Sequence, residues 1–139
     1  LVSAQVWLES SRRQTMRGDW TRNAAHCAPG HGLGVDGRSG QCPESFGILQ
    51  VRYRFFKGAF PDAIRSTAFN ADTVYAVWRA CYDGYEWWLQ DAAAPGHRYR
   101  AGDAWGCLGR WYSGQWYGPS AERYIACAKN VFYRREPCS

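Results

Sequence analysis

No apolar run among the 139 residues approaches the roughly 20 that span a bilayer, so no membrane-crossing helix is expected. No Cys-x-x-Cys pair is present, and His26, His31 and His97 have no companion three or four residues away. The spacings that hold zinc are therefore missing, and neither a metal nor a cofactor is expected. Lysine is scarce: Lys57 and Lys129 are lysines, and the other basic residues are arginines scattered from Arg12 to Arg135 without a dense block. That pattern argues against a dedicated nucleic-acid tract. No repeat of period 20 or more appears, which excludes solenoids and propellers.

What is present points to one folded domain over residues 1–139, long enough for a substantial core and too short for two comfortable ones. Hydrophobic residues make up 46% and aromatic residues 17%, more than a disordered chain carries. Seventeen basic residues against 12 acidic ones give a net charge of +5. Charge of this size draws a protein to anionic surfaces such as bacterial envelopes, or serves solubility alone. The even set of six cysteines reads as disulfides, with local loops suggesting Cys27 with Cys42, Cys127 with Cys138, and Cys81 left for Cys107. Such bonds place the protein in an oxidising compartment, so a secreted or extracytoplasmic monomer is expected. The chain starts at Leu1 without a leader, and an export signal is expected to have been removed before it.

Apolar positions from Val2 to Met16 are compatible with a helix whose start precedes Leu1 and whose stop is Gly18-Asp19. Residues 23–43, rich in glycine, fit no helix or strand and read as a long loop stapled by Cys27 and Cys42. Ser45 to Tyr53 carries one or two short strands. Thr67 then caps the longest helix signal, running through Val74, Val77, Trp78, Cys81, Tyr82, Tyr85, Trp88 and Leu89, with a kink at Gly84. Another helix opens at Gly102 or Asp103 and closes at Ser113-Gly114, and a last one runs from Pro119 to about Arg134. The expected class is mainly α with a small β-hairpin.

Cleavage of a glycosidic bond needs a carboxylic acid that is protonated near neutral pH. Glu9 follows Val6, Trp7 and Leu8 at a helix flank, where apolar neighbours favour the neutral form. The plainer reading is a solvated helix glutamate. The pair Glu9-Ser10, followed by Phe46-Gly47-Ile48-Leu49-Gln50-Val51, resembles the Glu-Ser and Gly-Leu-Met-Gln motifs of soluble lytic transglycosylases and goose-type lysozymes in the lysozyme superfamily. The resemblance implies a lysozyme-like fold, Glu9 as the catalytic acid and Gln50 beside the scissile bond. The run Gly109-Arg110-Trp111-Tyr112-Ser113-Gly114 stands in the place of the transglycosylase Tyr-Asn-Ala-Gly motif but matches it poorly. Where goose-type enzymes carry an aspartate after the Gln-Val pair, this chain has Arg52.

A second carboxylate, if the reaction uses one, must then come from Glu44 or Asp36, and Glu44 is preferred because it is pinned between Cys42 and a strand. A rival assignment makes the Glu44-Ser45 pair itself the acid, and Asp19 is a further acid that reads first as a helix stop. His31, near Asp36, is expected to be a loop hydrogen-bonding residue. Without a second carboxylate, the substrate's own N-acetyl or 6-hydroxyl group completes the reaction. Tyr53, Trp111, Tyr112 and Trp116 are the aromatics expected to stack on sugar rings in a groove. The expected substrate is a β-1,4-linked polysaccharide, peptidoglycan first, with glucan, chitin or chitosan as alternatives. A carbohydrate-binding or inhibitor domain without catalysis is the competing class.

Overall fold

The computed structural model describes residues 1–138 and divides into two compact units. One unit is Gln5–Val74; the other begins at Tyr75 and includes Leu1–Ala4.

The Gln5–Val74 unit takes most of helix α1 (Val2–Ser10), which stops well short of Met16. Ser11 and Arg12 both adopt left-handed backbone, at φ of 50° and 66°, and the Arg12 N–H returns to the Val6 carbonyl at 3.4 Å. This left-handed reversal closes the helix without a glycine. Gly18 and Asp19, expected to be the stop, lie instead inside strand β1 (Arg17–Thr21). With β2 (Cys42–Phe46) and β3 (Val51–Arg52) it forms a three-stranded antiparallel sheet in the order β1-β2-β3. Arg17 faces Phe46 and Thr21 faces Cys42 on one side of β2, and Ser45 faces Arg52 on the other. As the central strand, β2 is buried along its whole length. Residues 23–41 form the long loop the sequence predicts, with one 3-10 turn at Ala24–His26, and the Cys27–Cys42 disulfide closes it onto β2.

The segment Gly47-Ile48-Leu49-Gln50 is the tight turn between β2 and β3 and not a strand. Its shape requires positive φ at Gly47 (81°) and Gln50 (52°). Glycine is obligatory at position 47 for a second reason: a Cβ there would overlap the amide of Asn70. After the short helix α2 (Asp62–Arg65), Asn70 arrives on α3 (Thr67–Tyr82), fully buried, and its side chain makes three hydrogen bonds. Nδ2 donates to the carbonyls of Phe46 (2.8 Å) and Ala63 (2.9 Å), while Oδ1 accepts the Leu49 N–H at 3.0 Å. Every polar atom of the amide is used, which is the condition for burying it.

The second unit holds the latter part of α3, which ends at Tyr82 before Gly84. Residues 87–90, expected to continue that helix, form a separate 3-10 turn, Trp87–Gln90. Helix α4 (Ala104–Ser113) has the ends predicted for it: Asp103 accepts the Gly106 N–H at 2.9 Å, and Gly114 closes it in left-handed conformation. Helix α5 (Pro119–Lys129) starts on its proline and passes into a π-helical turn, Asn130–Arg134. The Cys81–Cys107 bond ties α3 to α4, and Cys127–Cys138 ties α5 to the following segment, so all three pairings are those expected from the loops. Cys81, Leu89, Tyr99, Cys107 and Trp116 make the core of this unit.

Trp116, expected in a sugar groove, is 1% exposed and lies at the centre of that core. Its Nε1–H donates to the Arg98 carbonyl at 2.9 Å, and a Cβ on Gly106 would collide with its ring. No face of it is left for a ligand. Trp116→Ala is expected to lower unfolding stability by about 3–5 kcal/mol, measured by denaturant melts. A surface-sized loss of roughly 0.5 kcal/mol would contradict the core placement.

Candidate functional site

The residues that the sequence singles out divide between the two units. Glu9, Asp36, Glu44, Gln50 and Tyr53 belong to Gln5–Val74, whereas Trp111, Tyr112 and Trp116 belong to the unit that begins at Tyr75.

Glu9 sits on the last turn of α1, partly buried, immediately before Ser10, which is buried with its hydroxyl on the Val6 carbonyl at 3.1 Å. The last carbonyls of a helix have no partner within it and carry partial negative charge, which disfavours a second negative charge beside them. One turn earlier on the same face, Gln5 is buried, and its Nε2 has no protein hydrogen-bond acceptor. Trp7, exposed on the same helix, is covered by the Arg12 guanidinium at 5.3 Å.

Gln50 lies in the β2–β3 turn, but its amide serves the backbone. Nε2 donates to the carbonyls of Gly47 (2.9 Å) and Met16 (3.2 Å). The Gly47 N–H reaches the same Met16 carbonyl at 2.9 Å. The turn is thus bound to the end of the α1–β1 connection on one side and to Asn70 on the other. Tyr53 follows β3, partly exposed, with its ring edge-on to Phe60 at 5.2 Å and Lys57 near its face at 5.8 Å.

The two candidates for a second carboxylate share one arrangement. Glu44 leaves 4% of its side chain exposed, with Oε1 3.0 Å from His26 Nδ1 and Oε2 2.8 Å from Arg52 Nε. Asp36 leaves 3% exposed, held by Arg17 Nε at 2.9 Å and by His31 Nδ1 at 3.0 Å. Burial by itself pushes the Glu44 carboxyl up, but the hydrogen bond and charge of Arg52, and then those of His26, outweigh it and hold the group below its ordinary value. A carboxylate whose oxygens are both occupied by such donors is a weak base. Glu44, expected to hold a water, is thus an internal ion-pair partner here, and Asp36 is also held between an arginine and an imidazole. Asp19 accepts from the Ser45 hydroxyl across β1 and β2.

Of the aromatics, Trp111 is partly buried on α4, and Tyr112 is exposed with its ring stacked on Tyr124 at 4.4 Å. Sequence reasoning overlooked Asn70, although a polar residue four positions before Val74 shares the buried face of its helix, and that was a readable signal. The His31–Asp36 contact within the loop is the hydrogen bond expected there, whereas the Arg17, Arg52 and His26 partners were missed because each comes from another element. Among the described residues no cluster of histidine, cysteine and acidic side chains has the makings of a metal site, and no helix is long and apolar enough to cross a membrane. Comparison with protein-family models, curated proteins and solved structures finds no match to this chain.

Glu44→Gln keeps the shape but leaves Arg52 and His26 without their anion, with an expected loss of about 3 kcal/mol near neutral pH. Because the folded carboxyl titrates below its ordinary 4.5, its contribution is complete above that pH and vanishes as pH falls through the folded value. Urea melts between pH 7 and pH 3 should show the gap between parent and variant closing on acidification. A constant gap would remove the ion-pair assignment.

Proposed function

We propose that the chain is a glycan-cleaving enzyme of lysozyme type in which Glu9 is the acid and no second protein carboxylate takes part. The observation that carries this reading is the order of parts within one unit. A glutamate on the last turn of a helix is followed by a small antiparallel sheet whose β2–β3 turn is Gly47-Ile48-Leu49-Gln50, locked by a buried asparagine from the next long helix. The Glu-Ser and Gly-x-x-Gln residues of the lysozyme-type resemblance are the ones that fall in this order. The partial negative charge at the end of α1 and the unused Gln5 donor one turn before Glu9 support the same residue.

Chemically, Glu9 donates its proton to the bridging oxygen as the bond from that oxygen to the anomeric carbon breaks and positive charge builds on the ring. Two-carboxylate inversion needs a free base about 6.5–9.5 Å from the acid, and Glu44 and Asp36 are both engaged by arginine and imidazole. That leaves the substrate to complete the step. Its 6-hydroxyl attacks the anomeric carbon, and the Glu9 carboxylate takes the hydroxyl proton, regenerating the acid and releasing an anhydro end. Three disulfides fit an extracellular setting for such an enzyme, and peptidoglycan is the substrate to test first.

Glu9→Gln is expected to abolish turnover of peptidoglycan, by about a hundredfold or more, while glycan binding persists. Mass spectrometry of the parent's products should show anhydro ends. Products that carry an added water would favour hydrolysis, and activity undiminished in Glu9→Gln would refute the acid. Binding without turnover in the parent would leave a carbohydrate-binding module.

A further inference from the structure

Residues 83–91 display an unusual surface. Tyr85 is 79% exposed, Trp87 69% and Trp88 47%, while Leu89 between them and the core is fully buried. Three large aromatic side chains exposed within four residues of sequence are apolar surface of the kind that marks interaction sites.

The backbone beneath them is held at several points. The Glu86 carboxylate closes on Arg110 of α4 through two hydrogen bonds, at 2.6 Å and 2.9 Å. The Tyr99 hydroxyl donates to the Cys81 carbonyl at 2.6 Å and accepts the Glu86 N–H at 3.3 Å, and Gln90 Oε1 accepts the Tyr99 N–H at 3.0 Å. Trp87 rests edge-on against Tyr99 at 5.5 Å, and the Arg110 guanidinium lies over Trp88 at 5.1 Å. Rings presented from a segment fixed in this way lose little freedom when a ligand arrives.

The electrostatics select the ligand. Arg110 is neutralised by Glu86 and Arg79 by Asp83, so neither arginine stands as an open cation beside the rings. A nucleic acid or acidic polymer would need open cations there. The exposed large apolar side chains of the segment are tyrosine and tryptophan, whose flat faces carry negative quadrupole density and whose O–H and N–H groups can meet hydroxyls. Polarised C–H faces of neutral pyranose rings complement such a surface.

We infer that Tyr85, Trp87 and Trp88 form a stacking platform for a neutral polysaccharide strand, in a unit other than the one that contains Glu9. The inference takes its ligand class from the proposed function but does not depend on turnover.

The test uses the full chain carrying Glu9→Gln and measures its depletion from solution by the neutral insoluble polymers chitin and cellulose. Retention on at least one is expected, and Trp87→Ala with Trp88→Ala should weaken it about tenfold or more, with part recovered by tyrosine at both positions. Retention unchanged by the double variant, or absent on both polymers, overturns the platform. Dimerisation seen by sedimentation and lost in the variant, without glycan retention, assigns the patch to a second copy and overturns it as well. Should the variant fail to fold, oxidative footprinting of the parent decides: chitin oligosaccharide must protect Trp87 and Trp88, and lack of protection is equally fatal. Loss of the Glu9 acid hypothesis in turnover assays would leave this retention measurement standing.

Discussion

The buried amide of Asn70 fixes the part of the molecule on which the candidate chemistry rests. It joins the end of β2, the β2–β3 turn and the end of α2 through carbonyls and an N–H that would otherwise be buried without partners. Nothing apolar of the same size can replace it, because three backbone groups would then be stranded in a region that excludes water. Asn70 also explains its neighbours. Glycine at 47 leaves room for the amide, and the positive φ at Gln50 brings that side chain back over the turn to the Met16 and Gly47 carbonyls. The apparent motif is in this sense a folding device first, with two amides of different residues holding opposite sides of one short turn.

Charge in the same unit follows a related rule. Two acidic side chains are buried, and each is enclosed by one arginine and one imidazole, all from other elements except His31, which shares the loop of Asp36. For Glu44, desolvation alone would favour the neutral acid, yet the surrounding donors hold the anion. The consequence for chemistry is selective. The Glu44 carboxylate, matched so closely within the fold, is held below its ordinary value, whereas Glu9 lies on the last turn of α1, where the helix end carries partial negative charge.

Features set by neighbouring residues were legible in the sequence. Asp103 and Gly114 bound α4, Pro119 opens α5, and the cysteine spacings matched the three bonds, because caps and short loops are local facts. Position β1 was missed for the opposite reason. Gly18-Asp19 carries the chemistry of a helix stop, and only pairing with β2 makes it a strand. In the same way Tyr85, Trp88 and Leu89 continue the apolar period of α3, but the left-handed backbone at Gly84 ends the helix and turns two of the three outward. Site residues were less legible than elements: Glu44 and Asp36 look alike as candidate bases until Arg52 and His26 close on the one and Arg17 on the other, while the His31 partner of Asp36 was visible as a loop neighbour.

Trp116 and Trp87 show where residue type stops being informative. Both are tryptophans within two residues of a tyrosine in glycine-bearing segments, and both touch Tyr99 edge-on, at 5.0 Å for Trp116 and 5.5 Å for Trp87. What separates them is the supply of backbone acceptors and space. Trp116 finds the Arg98 carbonyl for its N–H and a bare Gly106 for its ring, so burial costs it nothing polar and gains the full apolar area. Trp87 begins a 3-10 turn whose inward position is already filled by Leu89, and the Glu86–Arg110 pair fixes the chain just before it. Its ring has no room inside. An exposed tryptophan here is therefore a consequence of Leu89 taking the inward position of the turn, on a segment that the Glu86–Arg110 pair and the Tyr99 hydrogen bonds tie to the core.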